Sequence, residues 1–113
     1  MSLVLDNLRQ YWWCLMDEDG GDIPLTDVNQ VNVFGESPIH IAAWKGSLED
    51  IQWLLNNGAD INQRGEFEMT PLHYAYMGGK RENIEILLKA GADPNLRCDQ
   101  GMLPSDGRPE KTI

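Results

Sequence analysis

Apolar residues recur along this chain in short bursts separated by polar turns. Leu48, Ile51, Leu54 and Leu55 fall at helical spacing, and Ile84, Leu87 and Leu88 repeat that spacing further along. Each burst predicts a helix that stops at a glycine, Gly58 or Gly91. Ahead of each stands a second, shorter helix. Ser37-Pro38 and Thr70-Pro71 supply an N-cap followed by a proline suited to the first turn. Small Ala42, Ala43 and Ala75 mark close packing, and Gly46 and Gly79 mark the ends. The segment from Asp60 to Thr70 is rich in turn formers, which predicts a projecting hairpin loop. Near the start, Val4, Leu8, Tyr11, Trp12 and Leu15 share one face of a predicted helix over 2–16. Trp13 and Trp53 fall on other helical faces, where core or rim packing is expected.

The bursts belong to a longer period. "SPIHIAAWKG" from Ser37 returns 33 residues later as "TPLHYAYMGG" from Thr70. Gly58-Ala59-Asp60 returns as Gly91-Ala92-Asp93, and Asp60-Ile61-Asn62 is echoed by Asp27-Val28-Asn29 and Asp93-Pro94-Asn95. Leu103-Pro104 continues the Ser37-Pro38 and Thr70-Pro71 series, so the register holds over three steps.

A 33-residue helix–turn–helix–loop unit with T-P-L-H at its start and G-A-D-x-N at its end resembles the ankyrin repeat, over Asp27 to about Leu103. The resemblance implies an all-α solenoid with hairpin loops standing out from stacked helix pairs. The expected organisation is a single domain over 1–113: a capping helix at 2–16, an acidic connector and first hairpin at 17–36, repeats at 37–69 and 70–102, and a truncated repeat or tail at 103–113. Stacks of this kind need their ends covered, which gives the 2–16 helix its role. Three departures stand out. Glu68 occupies a hairpin position where the family has glycine, kept here at Gly35 and Gly101; Tyr76 replaces a usual alanine; Asp50 and Asn83 replace an aliphatic residue. The second hairpin and the packing beside Tyr76 are therefore expected to be distorted.

Charge narrows the function. Eighteen acidic residues against nine basic ones give a net charge of −9, and no Lys or Arg lies between Arg9 and Lys45. Such a surface repels phosphate backbones, which argues against nucleic-acid and anionic-membrane partners. It favours encounter with a basic protein. No apolar run approaches the roughly 18 residues of a membrane span. The first residues lack the basic lead-in of a secretion signal. Cys14 and Cys98 are too few and too far apart for a disulfide framework, so free thiols in a cytoplasmic setting are expected.

Candidate chemistry is sparse. His40 and His73 occupy equivalent places, and the resemblance implies a structural role, each ring tying a loop to a helix. A metal-binding or enzymatic use of this pair is the alternative, although neither has an adjacent ligand at metal spacing. "DEDGGD" from Asp17 invites a calcium-loop reading, but the sixth and twelfth positions hold Asp22 and Val28 where glycine and glutamate are needed. Gly20-Gly21 and Gly78-Gly79 lack the context of a phosphate loop. No catalytic constellation, metal site or cofactor is expected.

The remaining reading is protein binding. The resemblance places partner-reading positions on the hairpin tips and on the exposed side of the first helix. By register these are Val33, Phe34, Glu36, Trp44 and Lys45, then Glu66, Phe67, Met69 and Met77, then Asp99, Gln100 and Met102. Aromatic and methionine side chains beside acids resemble a binding hot spot with a charged rim. The expected function is a small, free-standing, non-catalytic module that captures a basic protein. One such role is a bacterial immunity protein neutralising a cationic toxin such as a nuclease. Self-association through the same apolar strip is a further alternative to the favoured monomer.

Overall fold

The computed structural model describes residues 28–32 and 34–107; the predicted cap helix and the acidic turn lie outside the described residues. Among the described residues four helices run in chain order: α1 at Pro38–Lys45, α2 at Leu48–Asn56, α3 at Pro71–Gly78 and α4 at Arg81–Lys89. Short 3-10 turns at Glu66–Glu68 and Pro104–Gly107 complete the elements. α1 packs beside α3 and α2 beside α4, so the helices form two layers; the turn at Pro104–Gly107 packs on the other side of α3. Among the described residues the third unit contributes a loop and one turn at the place where the first helix of a repeat begins.

Helices of eight and nine residues are too short to persist alone, so packing must hold them. The core is continuous across the repeat boundary. Ile39, Ile41, Ala42 and Ala43 of α1 meet Ile51 and Leu54 of α2, Leu72, Tyr74 and Ala75 of α3, and Leu87 of α4. Ala42, Ala43 and Ala75 are fully buried, as the pattern of small residues predicts. Leu88 departs from that pattern and is 39% exposed. Its counterpart Leu55 is half-buried within the stack, whereas among the described residues no helix packs on the far side of α4.

The Asp50 and Asn83 substitutions also find an explanation. In α2, Asp50 closes a capping box: its Oδ2 accepts the Ser47 N–H at 3.1 Å, and Ser47 Oγ accepts the Asp50 N–H at 3.3 Å. One repeat later the same two places hold Lys80 and Asn83. Lys80 cannot cap its own helix, and both side chains reach back to the end of α1. Asn83 Nδ2 donates to the Ala43 and Gly46 carbonyls at 3.2 and 3.3 Å. Lys80 Nζ donates to the Gly46 and Lys45 carbonyls at 2.8 and 3.2 Å, placing a cation where the helix dipole is negative. Asn83 Oδ1 is buried without a hydrogen-bond partner among the described residues, so the interlock is incompletely satisfied.

Each projecting loop, or finger, closes through the same pair of backbone bonds. In the first, the Asn32 N–H donates to the Glu36 carbonyl and the Gly35 N–H to the Asn32 carbonyl, both at 3.0 Å. Gly65, Glu68 and Met69 repeat this pattern, as do Cys98, Gly101 and Met102. The bend requires a left-handed residue. Gly35 (φ 83°) and Gly101 (φ 79°) adopt it freely; Glu68 must adopt φ 61°, and Phe67 beside it has φ 57°. The distortion expected in the second finger is therefore a pair of consecutive left-handed residues carrying full side chains. Glu68→Gly relieves one of them and should raise stability by about 1 kcal/mol in urea denaturation. An unchanged or lower stability would mean that Glu68 is not strained.

Candidate recognition face

The fingers are held to the helices by the two histidines. Nδ1 of His40 accepts the Ser37 N–H at 3.0 Å and contacts Ser37 Oγ at 2.9 Å, which closes the start of α1. The opposite nitrogen, Nε2, lies 3.0 Å from the Met69 carbonyl. A carbonyl only accepts, so Nε2 carries the proton and Nδ1 is the acceptor. His73 repeats the arrangement with Thr70 and the Met102 carbonyl. Both nitrogens of both rings are therefore engaged, and neither ring has a lone pair left for a metal. Among the described residues no group of three His, Cys, Asp or Glu side chains could hold an ion.

His40 sits so close to the second finger that a Cβ at Gly65 would lie 2.8 Å from its Nε2. Burial lowers the His40 pKa to about 4, and the hydrogen bond to Met69 offsets only part of that effect. Burial lowers the His73 pKa as well.

The residues expected at the recognition face divide into three groups. Phe67 and Met69 of the second finger, Met77 of α3, and Gln100 and Met102 of the third finger line one pocket of about 280 Å³, together with His73 and Cys98. Phe67 is 51% exposed and Met102 37%. Glu66 and Asp99 lie on the same two fingers; Glu66 is half-buried and Asp99 exposed. Desolvation, followed by the nearby Glu36 charge, raises the Glu66 pKa.

A second group lies outside this pocket. Phe34 on the first finger is 47% exposed. Trp44 is half-buried against the core, edge-on to Tyr74 at 6.2 Å, with Lys45 Nζ 4.6 Å from its ring centroid. Core packing therefore does use Trp44, and it uses Met69 and Met77 in part as well. Val33 lies outside the described residues.

Glu36 is the correction. It was expected to face a partner, but its residue surface is only 8% exposed. Its Oε1 accepts from Asn32 Nδ2 at 2.9 Å, and its Oε2 accepts from the Tyr74 hydroxyl. The Glu36 N–H in turn donates to Asn32 Oδ1 at 3.0 Å. The carboxylate thus ties the first finger to α3, and its bonding capacity is spent inside the fold. Tyr74 lies 38 residues downstream, so no local spacing announced this partner. Cys98, read only as a free thiol, is also a buried wall of the pocket. The third-finger register placed it beside Asp99 and could have found it.

The second and third fingers are further joined to each other. The Asp99 N–H donates to the Phe67 carbonyl at 2.9 Å, and Arg64 Nη1 donates to the Glu68 and Arg97 carbonyls at 2.8 and 2.7 Å. Behind them, Asn29 Oδ1 accepts the Asp60 N–H and Asn62 Oδ1 accepts the Asp93 N–H, the same bond one repeat apart. A family model of ankyrin repeats, three copies long, matches residues 14–98. The chain belongs to the ankyrin repeat family. No individually curated protein matches it significantly. Ankyrin repeats are protein-interaction modules and are generally non-catalytic. Among the described residues no helix is long and apolar enough to cross a membrane.

Two outcomes test this arrangement. Folded His40 titrates lower than unfolded histidine, so its contribution to stability is present in full above about pH 6.5 and is lost as the pH falls toward about 4. Urea denaturation should therefore give roughly 2 kcal/mol less stability at pH 5 than at pH 7, with His73 adding in the same direction. His40→Asn should be less stable at pH 7 and show a flatter dependence; an unchanged slope would assign the effect elsewhere. Gly65→Ala should cost roughly 1–3 kcal/mol, because the ring must withdraw from the Met69 carbonyl.

Proposed function

We propose that this ankyrin protein is a non-catalytic binding module that captures a basic protein partner through its finger tips and first-helix face. The observation that carries this reading is the apolar pocket between the second and third fingers, bordered by exposed Phe67 and Met102 on an acidic chain. Apolar anchors surrounded by charge are the usual make-up of a protein-binding hot spot. A chain with twice as many acids as bases draws in a cationic partner and repels nucleic acid. Within this reading, the role proposed is inhibition, with an immunity function against a cationic toxin such as a nuclease as its sharpest form.

Co-expression with candidate toxins tests the proposal. Wild type should protect the cells and bind the toxin more weakly as salt rises. Phe34→Ala, Trp44→Ala and Phe67→Ala combined should weaken binding at least tenfold with the fold intact by circular dichroism. Protection and affinity equal to wild type in that variant would end the reading.

A further inference from the structure

The pocket between the second and third fingers is specific enough to say what enters it. At about 280 Å³ it falls at the lower edge of small-molecule sites and has the scale of one large side chain. Three thioethers, from Met69, Met77 and Met102, dominate its lining, with the Phe67 ring at its edge. Methionine is flexible and polarizable, so such a lining adapts to a ring or a branched chain without offering directional hydrogen bonds. The histidine in the wall is already committed at both nitrogens, so the polar function left in the lining is the Gln100 amide.

The pocket is also built to stay open. Phe67 is held in the left-handed region, and its carbonyl accepts the Asp99 N–H of the next finger. Arg64 holds the Glu68 and Arg97 carbonyls together. Backbone strain maintained by surrounding bonds is a feature of ligand clamps.

Charge sets what flanks the guest. Glu66, Glu68 and Asp99 stand on the two fingers, and Glu36 lies close enough to act on Glu66. The cations on these fingers are Arg64 and Arg97, each tied by Nη1 to finger carbonyls. Three surface carboxylates, Glu66, Glu68 and Asp99, against two guanidinium groups leave a net negative border.

Building on the binding function proposed above, we infer that the pocket takes a single bulky apolar side chain of the partner, aromatic or branched aliphatic, with a lysine or arginine adjacent to it. The acidic border holds the cation while the methionines enclose the apolar group. The partner segment is therefore short and basic, with one hydrophobic residue at its centre.

Capped five-residue peptides are the probe. They carry Trp, Leu or Ala at the centre with Lys or Glu on both sides, and are titrated into the full chain labelled at its methionine methyls. Single Met→Leu variants assign the signals. The Lys-flanked Trp and Leu peptides should shift the Met69, Met77 and Met102 methyls and bind at least about tenfold tighter than the Ala peptide. Replacing Lys by Glu should weaken binding several-fold at low salt, with the difference shrinking as salt rises. Met77→Ser should erase the preference for a bulky centre, and Asp99→Asn with Glu66→Gln should erase the preference for Lys.

Silence of the three methyls with every peptide would overturn the inference, as would equal affinity for Trp and Ala centres. Equal affinity for Lys and Glu flanks would overturn it too. If the amides of Phe34 and Lys45 move while those methyls do not, the anchor pocket falls but the wider recognition face stands. That wider reading is judged separately by the protection experiment.

Discussion

The structure depends on the hydrogen bond from a histidine Nε2 to the carbonyl that ends the following finger. His40 makes it to Met69 and His73 to Met102, across the same separation of 29 residues. Each ring also closes the start of its own helix through Nδ1. One side chain therefore fixes three things at once: a helix N-terminus, the base of the next finger, and the distance between them. The carbonyl it binds belongs to the residue just before Thr70 in one case and just before Leu103 in the other, so each ring also sets where the next helical segment begins. A residue inserted within the helices between ring and carbonyl would shift this register. This is a physical reason for a period that does not slip.

Given that frame, the second finger shows what happens when one local requirement is broken. Its bend needs a left-handed residue, and the sequence supplies Glu68 instead of glycine. The strain of Phe67 and Glu68 is of order 1–3 kcal/mol each. It is offset by bonds each contributing roughly 1 kcal/mol: Asp99 N–H to the Phe67 carbonyl and Arg64 Nη1 to the Arg97 carbonyl cross to the third finger, and Arg64 Nη1 to the Glu68 carbonyl braces the second finger itself. The same geometry leaves the Phe67 ring half exposed at the edge of the pocket. Strain, cross-finger bonding and an exposed aromatic therefore coincide at one place, which is the combination expected where a surface is shaped for contact rather than for stability.

Much of this was legible in the residues, because the features that repeat are those the backbone demands. The helix caps, the small residues between α1 and α3, and the glycines of the fingers have local causes that recur at a fixed period. Glu68 was legible for the same reason, as the one finger without its glycine. What could not be read was non-local and non-repeating. Glu36 looks like any surface acid until Tyr74 and Asn32 are seen around it. Asn83 has no meaning in its own helix and acquires one only beside the Ala43 and Gly46 carbonyls of the preceding repeat. Trp44 was placed on the correct helix, but its exposure depends on how far Tyr74 fills the space beside it. In a repeat protein the period reveals the scaffold, and a departure from it is explained only by the neighbour it meets.

The number of fingers restricts how a stack of this kind can bind. Association must overcome the lost freedom of the partner and the ordering of loops at the contact. A long solenoid can meet that cost with many weak contacts along its groove. The two helix pairs among the described residues present few such contacts, so a deep anchor or a strong field there adds much to binding. The present chain has both near the same fingers: a methionine-lined pocket and a carboxylate excess. Its second and third fingers are already bonded to each other and to the histidines, so little ordering remains to be done there when a partner arrives. The acids do not all serve this end. Glu36 is consumed inside the fold, and only those left at the surface, such as Glu68 and Asp99, can act on a partner. The net charge thus overstates the field that a partner meets, and the position of each carboxylate matters more than the count.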